Sequence, residues 1–156
     1  MDQLTHQQRL DRTTFTVPEP LPSFGQYVPS VLNGAILTVG GHFGLSPDGS
    51  VYIGKVGADV SVETARLAAR SAALNLVATV RDALGSLDRV SQVAHVFGVV
   101  NATPHFVEHT QVIDAASDVL VEIFGDAGRH ARLAVGVNSL PGNLVLEITA
   151  TIHIHP

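Results

Sequence analysis

The stretch Arg132-Leu133-Ala134-Val135-Gly136-Val137-Asn138-Ser139-Leu140-Pro141-Gly142-Asn143-Leu144-Val145-Leu146-Glu147 decides how this chain folds. Two runs of alternating small and apolar residues flank a Leu-Pro-Gly turn, which reads as a closing β-hairpin. Successive side chains of a strand face opposite ways, so each strand has an inner and an outer set. Leu133, Val135 and Val137 form one set, and Leu144, Leu146, Ile148, Ala150, Ile152 and Ile154 another. Both read as buried. The outer set is then Arg132, Ala134, Gly136 and Asn138 on one strand and Glu147, Thr149, Thr151 and His153 on the other. That face of small residues would hold one guanidinium and one carboxylate, suited to a small anion, a second subunit or plain water.

Working outward, the same alternation and its breaks lay out the rest of the chain. The first 14 residues or so are polar and read as a short helix or a frayed end. Pro18, Pro20, Pro22 and Gly25 impose an extended lead-in, because proline disfavours helix for itself and for its predecessor. Strands from Tyr27 to Val31 and from Ala35 to Leu45 are separated by the hairpin signal Asn33-Gly34. Ser46-Pro47-Asp48-Gly49 marks a second turn before a short third strand, Val51 to Ile53. Ser61 caps a helix in which Glu63 sits near the positive end, and Leu67, Leu74, Val77 and Leu84 recur at helical spacing up to the stop at Gly85. Val90 to Val100 is β-branched and reads as a strand covered on both faces. A second helix carries Phe106, Ile113, Ala116, Leu120 and Phe124 on one face and ends at Gly125. The order β-β-β-α-β-α-β-β makes a two-layer α+β domain, with two amphipathic helices on one face of a mixed sheet. The other face is left open, which favours assembly through it. Residues 1–20 read as an N-terminal extension and 21–156 as a single domain.

Composition narrows the function classes. Apolar residues make up 46% and charged residues only 15%, against about a quarter in a typical soluble domain, so another copy is expected to cover part of the surface. The net charge is −5, and the single lysine and eight arginines are dispersed along the chain, which argues against nucleic acid as a partner. Cysteine is absent, excluding disulfides and thiolate chemistry. No run of about 18 apolar residues and no secretory leader pattern is visible, so a cytoplasmic protein without membrane contact is expected.

Several strings, correctly ordered, resemble the Rid family of reactive-imine deaminases, also called the YjgF-like or L-PSP endoribonuclease family. Gly25-Gln26-Tyr27 is similar to its Gly-Pro-Tyr, and Ala35 to His42 to its strand ending in Ser-Gly-Gln. Arg132 to Glu147 matches its C-terminal signature without a gap: Arg nine residues before the Pro of Leu-Pro, Glu six residues after it. The resemblance runs from about Pro22 to His153. It implies a chorismate-mutase-like domain, a homotrimer whose sheets form a central barrel, and small-molecule sites at the subunit clefts. The implied activity is hydrolysis of 2-aminoacrylate and related enamines or imines to a 2-oxo acid and ammonia. By position, Arg132 binds the substrate carboxylate, Gly41 and Ala134 offer backbone groups, Tyr27 lines the site, and Glu147 works with a water. No metal or cofactor is implied. Ala134 stands where the family often has cysteine, Leu133 where a small polar residue is usual, and Gln26 where proline is. With a longer segment between Phe106 and Arg132, these departures mark a divergent branch.

The chemistry suits the residue types. A guanidinium grips a carboxylate with two parallel hydrogen bonds, and a carboxylate can manage the protons of a hydrolytic water. A closing hairpin would pair Glu147 near Gly136, four residues from Arg132 and roughly 13 Å away along the strand. That is too far to clamp one small substrate, so each site is expected to draw on two subunits. Rival readings are a non-catalytic binder of keto or amino acids and a ribonuclease or translation inhibitor. His42 is a further pocket candidate. His153 and His155 face one way on a strand but lack a third ligand nearby, and read as an edge pair rather than a zinc site.

Overall fold

The computed structural model describes residues 4–156. It contains α1 (His6–Leu10), β1 (Ser30–Asn33), β2 (Ile36–His42), α2 (Val62–Leu84), β3 (Val90–Asn101), α3 (His109–Phe124), β4 (Ala131–Val137) and β5 (Leu146–Ile154). The expected α+β architecture is present: one five-stranded mixed sheet in the order β1-β2-β5-β3-β4, with α2 and α3 against one face. Val51 to Ile53 does not form the expected third strand. It contributes only single bridges, Leu45 to Val51 and Ile53 to Leu144.

The larger correction concerns the end of the chain. β4 and β5 are not a hairpin: β3 lies between them, pairing parallel with β4 and antiparallel with β5. A parallel pair needs a crossover, and α3 supplies it between β3 and β4. β4 therefore becomes an edge, and the faces of its residues invert relative to the hairpin reading. Arg132, Ala134 and Gly136 point toward α3, while Leu133 is about half exposed on the open face. Within β5 the alternation stands as read, with Leu146, Ile148 and Ile152 buried under the helices. A period of two tells which residues share a face. It does not tell which face is covered.

The helices follow their local signals. Ser61 accepts a hydrogen bond from the Thr64 N–H, and Gly85 adopts φ +75°, the left-handed conformation that closes a helix. Leu67, expected inside, is exposed. The buried stripe of α2 is instead built largely of alanines, Ala65, Ala68, Ala69, Ala72 and Ala73, continued by Leu76 and Val77. Small side chains let the backbone of α2 come close to its neighbours. Gly44, just past β2, sits so close to the Ala68 carbonyl that a Cβ there would collide with helix backbone. α3 offers Ile113, Leu120 and Ile123, and Ile113 fills the space over Gly98 of β3.

The N-terminal segment packs onto this layer. Thr5 and Gln8 form a capping box on α1, Leu10 is buried, and the His6 ring meets Phe124 edge-on at 5.1 Å. Arg70 lies over Phe15, and Arg81 donates to the Val17 and Pro18 carbonyls, steering the proline-rich lead across α2. On the opposite face of the sheet Val31, Ile36 and Leu133 remain exposed beside the polar Thr38. No helix of the described residues is long and apolar enough to cross a membrane.

Because the obstacle at Gly44 is backbone, it cannot move aside by rotating a side chain. Gly44→Ala is expected to cost about 2–3 kcal/mol, read as a lowered denaturant midpoint at unchanged slope.

Candidate functional site

The pocket that gathers most of the expected residues opens where β2 ends and β5 begins. The β2–β5 register shifts between Val39 and His42, and this bulge turns Gly41 toward Glu147. A Cβ at Gly41 would stand 2.9 Å from Glu147 Oε1, so the glycine makes room for the carboxylate. Next to the bulge, the His42 ring is fixed from both nitrogens, with Nδ1 2.8 Å from the Gly40 carbonyl and Nε2 2.7 Å from Thr79 Oγ1. Burial lowers the His42 pKa, which keeps the ring neutral. It anchors the bulge to α2.

The proline-rich lead forms one wall. The Gly40 N–H donates to the Pro29 carbonyl at 2.9 Å, and the Phe24 N–H donates to the Tyr27 hydroxyl at 3.1 Å. The Phe24 ring meets Phe43 at 5.9 Å between centroids. The turn after β4 forms the other side. In this turn Gly142 and Asn143 both have positive φ (60° and 57°), the left-handed region that glycine and asparagine tolerate best. The buried Asn101 holds the turn, its Nδ2 donating to Asn143 Oδ1 and to the Gly54 carbonyl while Lys55 Nζ donates to its Oδ1. The cleft is open to solvent on one side and has a volume of about 500 Å³.

Tyr27, Gly41, His42 and Glu147 all line this pocket. Among the described residues Glu147 is the only charged one on its walls, and no hydrogen-bond donor reaches its carboxylate. Burial pushes its pKa up. A carboxyl in such a place is a readier proton acceptor than an exposed one.

Arg132 and Ala134 are not brought to this pocket. Ala134 packs against the core beneath α3. The largely buried Arg132 Nη1 donates to Asp114 Oδ1 at 2.8 Å and to Ser117 Oγ at 3.0 Å. Ser117 in turn meets His130 Nε2 at 2.9 Å, and His130 Nδ1 reaches the Gly128 carbonyl. Burial lowers the His130 pKa, with the Arg132 charge adding to the effect, so a neutral ring can accept from the Ser117 hydroxyl. Both bonds of the guanidinium use Nη1, and its Nε–Nη2 edge has no protein acceptor among the described residues. Through Val96, Arg132 is in register with Ala150. It thus lies two strands across and three residues along from Glu147, roughly 14 Å by backbone, on the other face of the sheet. The expected shared face of guanidinium and carboxylate does not exist within one chain. Asp114 and Ser117, three residues apart on one helix face, are the partners that sequence reading missed. Phe24 and Phe43 were likewise unmarked, since an aromatic in a loop carries no periodic signal.

A second cavity, about 360 Å³, lies at the other end of β4 between Thr103, Phe106, His109 and Asn138. None of the expected site residues lines it. No group of three or more His, Asp or Glu among the described residues could hold a metal ion, and His153 is exposed on the open face.

Comparison with known proteins agrees with this fold. The family described as "YjgF/chorismate mutase-like, putative endoribonuclease" matches residues 7–150. The protein TCP17 of Trypanosoma cruzi is 36% identical over 147 residues, 94% of this chain and 92% of its own. The crystal structure of Atu1372, a protein of unknown function from Agrobacterium tumefaciens, superposes with a TM-score of 0.87 at 38% identity, covering 96% and 92% of the two chains. That of a "putative endoribonuclease" from Shewanella oneidensis gives 0.91 at 33% identity, over 97% of this chain and all of the other. With this architecture, the Arg132-to-Glu147 signature and a match over nearly its whole length, the chain belongs to the YjgF-like (Rid, L-PSP) family and has its chorismate-mutase-like fold.

Proposed function

We propose that this protein hydrolyses small imines, and enamines after their tautomerisation, to 2-oxo acids and ammonia. The observation that carries the reading is the lone Glu147 carboxylate, with its raised pKa, beside Gly41 and Tyr27 in an otherwise largely apolar pocket. Glu147 takes a proton from water as the water oxygen bonds to the imine carbon and the C=N electrons move to nitrogen. It returns that proton to nitrogen, giving a carbinolamine. Glu147 then takes the hydroxyl proton and passes it to the amino nitrogen, so that the C–N bond breaks and ammonia leaves as the C=O forms. An already reactive imine needs little beyond this placement and proton traffic.

The substrate carboxylate then needs a cation that the pocket of one chain does not supply. In our reading a second copy, within a homotrimer, brings its β4 edge to the pocket mouth, and the Nε–Nη2 edge of its Arg132 grips the carboxylate. The unpaired outer edge of β4, the exposed Val31, Ile36 and Leu133, and the separation of Arg132 from Glu147 within a chain support such a shared site. A role on RNA has less support, since the pocket carries negative charge only and the chain is acidic.

Glu147→Gln should lower ammonia release from freshly generated 2-aminoacrylate at least a hundredfold. Loss of less than tenfold would remove Glu147 from the chemistry, and a wild-type rate no faster than buffer would leave a binder. Its stability should move the other way. A carboxyl whose pKa is raised by folding stabilises the fold below its unfolded value of about 4.3 and loses that contribution as pH rises through the folded value. Glu147→Gln should therefore match or exceed the wild-type Tm at pH 7, with the difference vanishing below about pH 4. Because Arg132 and Glu147 are assigned to different copies, Arg132→Ala and Glu147→Gln should each be inactive alone. Refolded together they should recover a measurable fraction of activity, and no recovery in verified mixed oligomers argues for sites within single chains.

A further inference from the structure

The space beside Glu147 exceeds what the smallest imino acids need. At about 500 Å³ it falls in the range that encloses drug-sized ligands, whereas 2-aminoacrylate has only a three-carbon skeleton. The surplus is walled by Phe24, Tyr27, Pro29, Phe43, Pro141 and Leu144. These groups form an organised surface. Phe24 packs on Phe43 with a 46° tilt, its N–H donates to the Tyr27 hydroxyl, and a Cβ added at Gly25 would lie 3.4 Å from the Tyr27 ring. A charged side chain would lose its hydration there with no partner but the Glu147 carboxylate, whereas an aromatic or branched one gains contact on several sides.

We infer that this site selects 2-imino acids with a bulky apolar side chain over 2-aminoacrylate and its tautomer 2-iminopropanoate. The inference rests on the deaminase reading and names the substrate within it. The side chain lies against Phe24, Tyr27 and Phe43, leaving the C=N group beside the Glu147 carboxylate. Burial of each methylene-sized group strengthens binding about fourfold, so a benzyl group gains well over tenfold against a methyl group.

The test compares imines generated in place from phenylalanine and from alanine by an amino-acid oxidase, with the buffer rate subtracted. The phenylalanine-derived imine should show at least tenfold higher kcat/KM. Phe24 is 65% exposed, so Phe24→Ala leaves the core intact; it should lower the ratio of the two kcat/KM values at least fivefold. Equal or reversed values in the wild type overturn the inference. So does an unchanged ratio in both Phe24→Ala and Phe43→Ala, the result expected if a neighbouring copy fills the cavity. Titration with the product acids reads the same preference without turnover. Tenfold tighter binding of phenylpyruvate than of pyruvate with no hydrolysis rejects the deaminase reading alone, while equal affinities reject the size selection.

Discussion

The central position of β3 governs what this molecule can do with its two most telling charged residues. Taking β4 on one side and β5 on the other, it places Arg132 two strands away from Glu147. Because β4 joins parallel through the α3 crossover, the arginine also faces the helix layer, whereas Glu147 faces away from it. No side-chain rotation can bring the two together. A small acid gripped by one and hydrolysed at the other must sit between two copies of the chain, which is why assembly and chemistry are linked in the function proposed above.

The two charges also differ in electrostatic setting. Arg132 is paired with Asp114 and bound to Ser117, which in turn meets His130, so its partly buried charge is not left without partners. Glu147 has no such partner, and burial alone raises its pKa. A structural arginine and a reactive carboxylate are what these surroundings would produce on physical grounds. The free edge of the Arg132 fork is the part that the proposed function assigns to the substrate carboxylate.

The pocket depends on close backbone contacts more than on large side chains. The alanine stripe of α2 and the bare Cα of Gly44 bring helix and sheet together. His42 and Thr79 then pin the β2 bulge, and Asn101 pins the left-handed turn at Gly142 and Asn143. The proline-rich lead closes over this frame through the Gly40 to Pro29 bond and the Phe24 and Tyr27 contacts. Each support comes from a part of the chain remote from Glu147, so the site is assembled only when the whole domain is.

The sequence by itself determined what local chemistry decides: the Ser61 cap, the Gly85 stop, the Asn33-Gly34 turn, the strand read from Val90 to Val100, and the spacing that carries the family. Those signals act over a few residues, and the chain obeys them. It also determined which residues of β4 and β5 share a face. Only the tertiary structure decided which face is covered, because that depends on strand order, and β3 enters between two strands that look contiguous in the chain. For the same reason Asp114 beside Arg132, the aromatic wall of Phe24 and Phe43, and the burial that perturbs Glu147 arise from long-range packing. No window of sequence contains both members of any of those contacts.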